Sequence, residues 1–328
     1  MRICIDGLGA SMLKNTGLGV YTYEFLNKLF EMYPQPKYDL IWEGTKAEEI
    51  IEKNKGCSFI NLNINRKAND YSNIGKYIVN NKVNIYHSLN NGFSIPKNKT
   101  CNYISTVHDL LPLVNAEYVD PKYLNKFKSV FTNAVENSDK IIAVSEVIKE
   151  QLRSYFDIPE KKIQVIYPGY SDMFTPQNHE ISADILKSKY NIENDYILYV
   201  GSIHVRKNLD KLFRAFKEIS KNVNNIKLVV IGSCDGKRKD YFLKLMNLIE
   251  ELNLKDSVVF LGVVDYKDMP YFYSEAKCVV NLSKYEGFPL TSLEAMACGT
   301  PVVCNNQAIF KEVFGSTTSR SEEHTSEL

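Results

Sequence analysis

The amino-acid sequence predicts an α/β protein built from two doubly wound, Rossmann-like domains. Short β-branched runs alternate with helical periodicity through almost the whole chain, which is typical of parallel βαβ layers. A polar, proline-containing stretch at 167–194 interrupts this series. The length of 328 residues allows each domain to bury its own core. We therefore expect two domains facing each other across a cleft, with ligand at the carboxyl ends of the strands.

The domain limits follow from this alternation. We predict a first domain at 1–170, an interdomain connection at 171–194, a second domain at 195–315 and a tail at 316–328. The connection contains Pro176 and a short amphipathic piece around Ile185–Tyr190, a composition typical of linkers. The tail has a single apolar residue and cannot bury a core face, so we expect it to be disordered.

The elements of the first domain come from apolar patterning. Strands are predicted at Arg2–Asp6, Tyr38–Trp42, Ile85–Ser88, Cys101–Val107, Lys140–Val144 and Lys162–Ile166. Helices are predicted at Val20–Met32 and Pro121–Asn137, where apolar residues recur at steps of three and four.

The second domain repeats the same alternation. Its predicted strands are Tyr196–Gly201, Lys227–Gly232, Ser257–Leu261, Cys278–Leu282 and Pro301–Cys304. Its predicted helices are Leu209–Lys221, Lys239–Leu252, Lys267–Ala276 and Leu290–Ala297.

Composition narrows the function. The hydrophobic content of 44%, the charged content of 24% and the net charge of +1 are those of an ordinary globular protein without a field for nucleic acid. The seven cysteines, one of them Cys234, are scattered without a CxxC pair, which favours a reducing compartment. The apolar run at Met1–Asp6 is too short for a signal peptide. We expect a cytoplasmic protein that can rest on the inner face of the plasma membrane.

The segment Tyr285–Pro301 carries the strongest motif. It follows a predicted strand and opens a helix near Leu290, so amides at the helix start suit a diphosphate. Glu286 lies in the loop and Glu294 about one turn into the helix, where it can accept ribose hydroxyls. The alternative interpretation makes both carboxylates ordinary solvated charges. The expected nucleotide-sugar contacts in this segment are Gly287, Phe288, Pro289, Leu290, Thr291 and Glu294.

A second motif runs from Val200 to Asp210. Gly201 forms a turn after a strand, and the adjacent cations Arg206 and Lys207 can neutralise a diphosphate. Asn208 is the expected N-cap of the following helix. The alternative is that both cations are solvated residues of the first helical turn.

Two further motifs lie in the first domain. Gly17 and Gly19 fit a backbone turn that feeds a helix. The separate stretch Asp6–Met12 is an incomplete dinucleotide fingerprint, because it offers only the first two glycines and has Met12 where a small residue is needed. His108 lies at the end of a strand, where a ligand contact and a purely structural hydrogen bond are both open. Ser145 is the expected N-cap of a helix.

These motifs resemble those of glycosyltransferase family 4. The segment Ser283–Val302 is similar to its E-x7-E signature, Gly201–Leu209 to its G-x-x-x-x-R-K-N-L turn, and the stretch from His108 to its H-D-L-x-P position. The resemblance covers about Met1–Gly315 and implies a GT-B fold, truncated at the C-terminus. Residues 320–328 also resemble a translated sequencing adapter.

The resemblance implies transfer of a hexose, mannose in the first place, with retention at the anomeric carbon. It implies a donor such as GDP-mannose or a UDP-hexose, and a glycan or lipid-linked acceptor. The implied catalytic residues are Glu286 at the sugar, Arg206 and Lys207 at the diphosphate, and His108 near the sugar. No cofactor is implied, and the absence of a D-x-D element or carboxylate cluster predicts metal independence.

Two rival functions remain at this stage. One is a sugar-nucleotide-binding relative with weak or no activity, and the other is a Rossmann oxidoreductase or epimerase. The lysines and aromatic residues of the helix Pro121–Asn137 also suggest contact with anionic lipid, although an ordinary packed helix has the same pattern.

Overall fold

The computed structural model describes residues 1–13, 16–45, 56–64, 70–233 and 239–321. The chain divides into two compact units, Met1–Pro168 and Gly169–Leu328, and each unit is a separate parallel α/β body. Cys234 and residues 322–328 lie outside the described residues.

The first unit contains one parallel sheet with helices. Its strands are β1 (Arg2–Asp6), β2 (Lys37–Ile41), β3 (Ser58–Ile60), β4 (Ile85–Ser88), β5 (Asn102–Val107), β6 (Lys140–Ala143) and β7 (Ile163–Val165). Its helices are α1 (Leu8–Met12), α2 (Gly17–Met32), α3 (Ser72–Asn80), α4 (Leu111–Val114), α5 (Pro121–Asn137) and α6 (Glu146–Tyr155). The strand order is β3-β2-β1-β4-β5-β6-β7, and all the described pairs are parallel.

The second unit has the same architecture. Its strands are β8 (Tyr196–Val200), β9 (Lys227–Ile231), β10 (Val258–Gly262), β11 (Cys278–Asn281), β12 (Val302–Asn305) and β13 (Ser319–Ser321). Its helices are α7 (His179–Tyr190), α8 (Leu209–Asn222), α9 (Lys239–Glu251), α10 (Met269–Glu275), α11 (Leu290–Ala297) and α12 (Ala308–Phe314). The strand order β10-β9-β8-β11-β12-β13 reverses direction between β8 and β11.

That reversal positions the site. Neighbouring parallel strands end at the same edge of a sheet. The connections that follow β8 and β11 lead away in opposite directions along the sheet, so a crevice opens between the loops after these two strands. The ends of β8 and β11 are therefore close together in space, although Val200 and Asn281 are far apart in sequence. The core beneath them is apolar, with Leu209, Phe213 and Phe216 of α8 fully buried against the sheet.

Most predicted elements agree with the structure. The predicted limits of β1, β4, α5 and α11 are confirmed, and the others shift by one or two residues, apart from the start of α2. Four elements went unpredicted because they are short or weakly patterned: α1, β3, α4 and α12. The longer helices α3 and α6 were also missed, although the predicted N-cap of α6 is confirmed, since Ser145 Oγ accepts the Ile148 amide at 3.2 Å.

The stretch predicted as a connection belongs structurally to the second unit. Helix α7 packs along α10, and Tyr190 donates a hydrogen bond to the buried carboxylate of Asp268 at 2.7 Å. Its polar composition resembled a linker because one face of α7 remains exposed to solvent. Strand β13 likewise begins inside the predicted tail, where Ser319 pairs with Val303 of β12.

A close approach of two backbones fixes the ends of β8 and β9. Gly232 has φ of +156°, and a Cβ atom there would lie 1.8 Å from the carbonyl oxygen of Gly201. The Gly201 amide in turn donates to the Ile231 carbonyl at 2.9 Å. A side chain at position 232 would therefore force the two strand ends apart.

We predict that Gly232→Ala lowers the free energy of unfolding by about 1–3 kcal/mol, the usual range for overpacking. Urea denaturation measures this change. Gly169→Ala is the matched control, because a Cβ atom at Gly169 meets nothing within 4 Å. Equal stabilities of the two variants would contradict the prediction.

Candidate active site

Three charged side chains meet at the ends of β8 and β11. Arg206 and Lys207 lie in a 3-10 turn after β8, and Glu286 lies in the loop after β11. Arg206 Nη1 donates to Glu286 Oε2 at 3.0 Å, and Lys207 Nζ forms an ion pair with Glu286 Oε1. The structure thus brings together three of the four predicted catalytic residues.

Backbone hydrogen bonds join the two loops that carry these charges. The Lys284 amide donates to the Arg206 carbonyl at 2.8 Å, and Arg206 Nη1 also donates to the Tyr285 carbonyl at 2.8 Å. The guanidinium is therefore held from two sides before any ligand enters, which is the arrangement of a preorganised charge.

Glu286 stays ionised despite its burial. The exposed fraction of its side chain is 10%, against 21% for Arg206 and 11% for Lys207. Burial acts to raise the pKa of Glu286, but the charges of Lys207 and Arg206, together with hydrogen bonds, outweigh it and lower the pKa to about 2. The cluster therefore carries a net charge of about +1 at neutral pH.

A buried polar network lies beneath the Glu286 loop. Asn305 Nδ2 donates to the carbonyls of Leu282 and Ser283 at 2.7 and 3.1 Å. Ser283 Oγ donates to Asn281 Oδ1 at 2.6 Å, and Asn281 Nδ2 donates to Ser292 Oγ of α11 at 3.2 Å. This network was not predicted, although polar residues at the ends of the apolar strands β11 and β12 are a signal for it.

Helix α11 begins directly after this loop. Its N-cap residue is Pro289, whose carbonyl accepts the amides of Ser292 and Leu293 at 3.1 and 3.2 Å, while the Leu290 amide donates to the Phe288 carbonyl at 3.0 Å. Gly287 and Pro289 are buried, and Phe288, Leu290 and Thr291 are partly exposed. The predicted contacts of these residues with a nucleotide sugar remain predictions.

Glu294 lies about one turn into α11, as expected. Its side chain is almost completely buried, and its Oε2 accepts a hydrogen bond from the Tyr273 hydroxyl at 2.9 Å. The interpretation of Glu294 as a solvated helix charge is therefore wrong.

The turn after Gly201 differs from the prediction in one respect. Asn208 occupies the N-cap position of α8, but its side chain makes no capping bond, because the residue adopts a left-handed conformation with φ of +61°. The Leu212 amide instead reaches the Asn208 carbonyl at 3.3 Å. Gly201 has φ of +153°, and a Cβ atom there would lie 3.1 Å from Tyr199 Oη.

The first unit places its two predicted motifs beside each other. Helix α2 begins at Gly17, and the Gly19 amide donates to the Thr16 side chain at 3.1 Å, so Thr16 is its N-cap. Tyr21 of the same helix packs edge-on against the His108 ring, with 4.6 Å between centroids.

The protonation of His108 follows from its partners. Its Nε2 lies 2.7 Å from the Leu89 carbonyl, and a carbonyl only accepts, so Nε2 carries the proton and Nδ1 is an acceptor. Burial lowers the pKa of His108, against smaller opposing effects of the Leu89 carbonyl and Asp109. The His108 amide also donates to Asn91 Oδ1 at 2.7 Å. The ring is therefore held neutral and in a fixed orientation.

The described residues contain neither a cluster of metal-ligating side chains nor a membrane-spanning helix. No group of three or more histidine, cysteine, aspartate or glutamate residues that could hold a metal ion occurs among them. Across the same part of the chain, every helix is too short or too polar to cross a membrane.

The second unit is a doubly wound α/β body whose cationic cluster of Arg206 and Lys207 lies at the switch point of the sheet. Two family models identify it further. Residues 182–321 match glycosyl transferases group 1, and residues 17–172 match glycosyltransferase family 4. The chain belongs to the group 1 glycosyltransferases and has the GT-B fold of solved members. Membership of this family excludes the alternative functions of an oxidoreductase or an epimerase.

Named relatives are consistent with this family. The chain is 27% identical to O-antigen chain mannosyltransferase B of Escherichia coli, over 70% of this chain and 59% of the relative. It is 29% identical to O-antigen chain mannosyltransferase RfbU of Salmonella typhimurium, over 65% and 54%. These matches thus span less than two thirds of either relative. Anabaena HepE in complex with UDP-glucose has a similar structure, with a TM-score of 0.75, 16% identity, and coverage of 99% of this chain and 86% of HepE.

We predict a pH dependence that reports the Glu286 cluster. A carboxylate whose pKa is lower in the folded than in the unfolded state stabilises the fold at pH values above its ordinary pKa. This contribution is lost as the pH falls and the carboxylate is protonated. Wild type should therefore lose stability relative to Glu286→Gln as the pH falls from 4.5 towards about 2. Urea denaturation at successive pH values measures the difference.

Glu251→Gln is the control for this experiment, because Glu251 is exposed at the end of α9. A stability difference between wild type and Glu286→Gln that stays constant over this pH range would show that the ion pairs do not lower the pKa of Glu286.

Proposed function

We propose that this protein is a retaining hexosyltransferase that transfers mannose, by preference, from a nucleoside diphosphate sugar to a glycan or lipid-linked acceptor. The observation that carries the proposal is the cationic cluster of Arg206 and Lys207, held by Glu286 at the switch point of a nucleotide-binding type of sheet. Membership of the group 1 glycosyltransferases supports the reaction class.

In this proposal the donor binds to the second unit. Arg206 and Lys207 face the diphosphate, the start of α11 from Gly287 to Thr291 contacts its oxygens, and Glu294 accepts the ribose hydroxyls. Support comes from the net positive charge of the cluster and from the favourable field at a helix N-terminus.

The first unit supplies the remaining contacts in this proposal. Gly17 and Gly19 approach the phosphate at the start of α2, and His108 approaches the donor sugar. The neutral state of His108, with its proton on Nε2, gives it an acceptor at Nδ1 for a sugar hydroxyl.

The chemical step needs no protein nucleophile. The bond between the anomeric carbon and the β-phosphate oxygen breaks, and the acceptor oxygen bonds to that carbon on the same face. The acceptor hydroxyl proton passes to the departing phosphate, so atoms and charge balance. The protein stabilises the negative charge that grows on the diphosphate, which is the task of Arg206 and Lys207. We propose that no metal takes part.

The nature of the donor rests on the relatives. Two similar proteins are named as mannosyltransferases of O-antigen chains, which favours GDP-mannose, and HepE was crystallised with UDP-glucose, which makes UDP-hexoses the second choice. Mass spectrometry of the products formed from each donor distinguishes the two and separates an enzyme from a sugar-nucleotide-binding protein.

We predict that Lys207→Ala lowers kcat by about 100-fold, the usual cost of removing one donor that stabilises transition-state charge. Lys284→Ala is the matched control, because Lys284 is exposed in the neighbouring loop and should retain wild-type turnover. The measurement is sugar transfer with the best donor. A loss of less than threefold for Lys207→Ala would remove Lys207 from the mechanism.

We also propose that helix α5 contacts anionic lipid at the membrane surface. Lys122, Tyr123 and Lys126 are all exposed on its first two turns, and an amphipathic aromatic ring between lysines suits the headgroup region. A lipid-linked acceptor would be reached from such a position.

We predict that the double variant Lys122→Glu/Lys126→Glu binds phosphatidylserine-containing vesicles about 10–100-fold more weakly, since each lysine near an anionic surface contributes about 1 kcal/mol. Vesicle sedimentation measures the affinity. Lys244→Glu/Lys255→Glu makes the same charge change at exposed positions of the second unit and should bind like wild type. Equal binding of both variants would contradict a role for α5.

A further inference from the structure

Tyr273 contacts Glu294 from inside the protein. The tyrosine, on α10, is completely buried, so it does not reach a bound ligand itself. Its hydroxyl donates to Glu294 Oε2 at 2.9 Å. Glu294 is a buried carboxylate on α11, and the contact therefore links two packed helices of the same unit.

The tyrosine is itself held in place. The Thr300 hydroxyl donates to the Tyr273 carbonyl, and the Tyr273 ring packs against the ring of Phe174 with 5.8 Å between centroids. Backbone and side chain are both fixed, so the hydroxyl points at Glu294 without rearrangement.

The Tyr273 hydroxyl stays protonated at neutral pH and is therefore available as a donor. Burial, followed by the nearby negative charge of Glu294, raises the pKa of Tyr273 well above its ordinary value. A glutamate has a broad range of rotation about its last torsion, and a fixed donor on one oxygen restricts the plane of the carboxylate.

We propose that Tyr273 is a positioning residue that orients Glu294 toward the ribose of the donor, and that this contact makes the site select ribonucleotides over 2′-deoxyribonucleotides. This inference rests on the proposed function, in which Glu294 accepts the ribose hydroxyls. A correctly oriented carboxylate accepts a hydroxyl in good geometry, and a site built for a hydroxyl loses affinity for the analogue that lacks it.

A purely structural role of Tyr273 gives a different result. Removal of its hydroxyl would then lower the melting temperature and leave the preference for ribose unchanged. The ratio of the two affinities therefore separates positioning from stability.

The test is Tyr273→Phe, studied by calorimetry with GDP, UDP, their 2′-deoxy counterparts and inorganic pyrophosphate. We expect ribonucleotide affinity to fall about 5–20-fold, while affinities for the deoxynucleotides and pyrophosphate stay within twofold of wild type. Glu294→Gln should lose the same preference, and the double variant should lose no more than the larger single effect.

Tyr196→Phe is the matched control. The Tyr196 hydroxyl is equally buried and donates to the Phe272 carbonyl on the same helix at 2.8 Å, so this variant loses a comparable buried hydrogen bond away from Glu294. It should destabilise the fold and keep the wild-type ribose preference. Both variants are measured below their melting temperatures.

The outcomes distinguish the two proposals. If wild type binds neither GDP nor UDP, the proposed function fails and this inference fails with it. If wild type binds them without preferring ribose, the assignment of Glu294 fails, although the transferase proposal stands. If wild type prefers ribose and Tyr273→Phe keeps the full preference, Tyr273 is structural and this inference is overturned.

Discussion

The second unit depends on a carboxylate that two cations keep ionised in a poorly solvated position. Burial of a single charge costs several kcal/mol, and removal of one partner from a buried pair is more costly than the pair is stabilising. Glu286, Arg206 and Lys207 therefore constrain one another: any one of them would destabilise the fold alone. The same contacts hold the loops after β8 and β11 together, so the charge balance and the shape of the site have a common origin.

Polar groups behind these loops explain how the fold tolerates so much charge near its core. Asn281 and Asn305 lie at the ends of apolar strands. The side-chain amide of Asn305 forms hydrogen bonds with loop carbonyls, and that of Asn281 forms hydrogen bonds with neighbouring hydroxyls. Each buried polar atom that finds a partner avoids a desolvation penalty of about 1–3 kcal/mol. Helix α11 is thus fixed at its start by Asn281 and further along by Tyr273 through Glu294. A rigid support of this kind is what an electrostatic catalyst needs.

The sequence predicted the alternating fold, and it placed Arg206, Lys207 and Glu286 in loops at strand ends, because both predictions depend on local patterns such as the apolar periodicity of α5 and the motifs after β8 and β11. The ion pairs between these three residues were not predicted. Contacts between residues that are distant in sequence could not be predicted from local patterns. The contact of Tyr273 with Glu294 spans 21 residues, and no periodicity distinguishes a tyrosine that supports a carboxylate from one that fills a core. Asn208 was misjudged for a related reason, since its left-handed backbone is set by the turn and not by its capping propensity.

The contact between Gly201 and Gly232 couples two loops that a protein engineer would otherwise treat as independent modules. The carbonyl of Gly201 occupies the space that a side chain at position 232 would need. A β8 loop grafted from another transferase therefore fits only if the end of β9 leaves room for its backbone. Loop exchange aimed at a new sugar therefore has to transplant both strand ends as one piece, and a mutagenesis library that randomises position 232 would consist mostly of destabilised proteins.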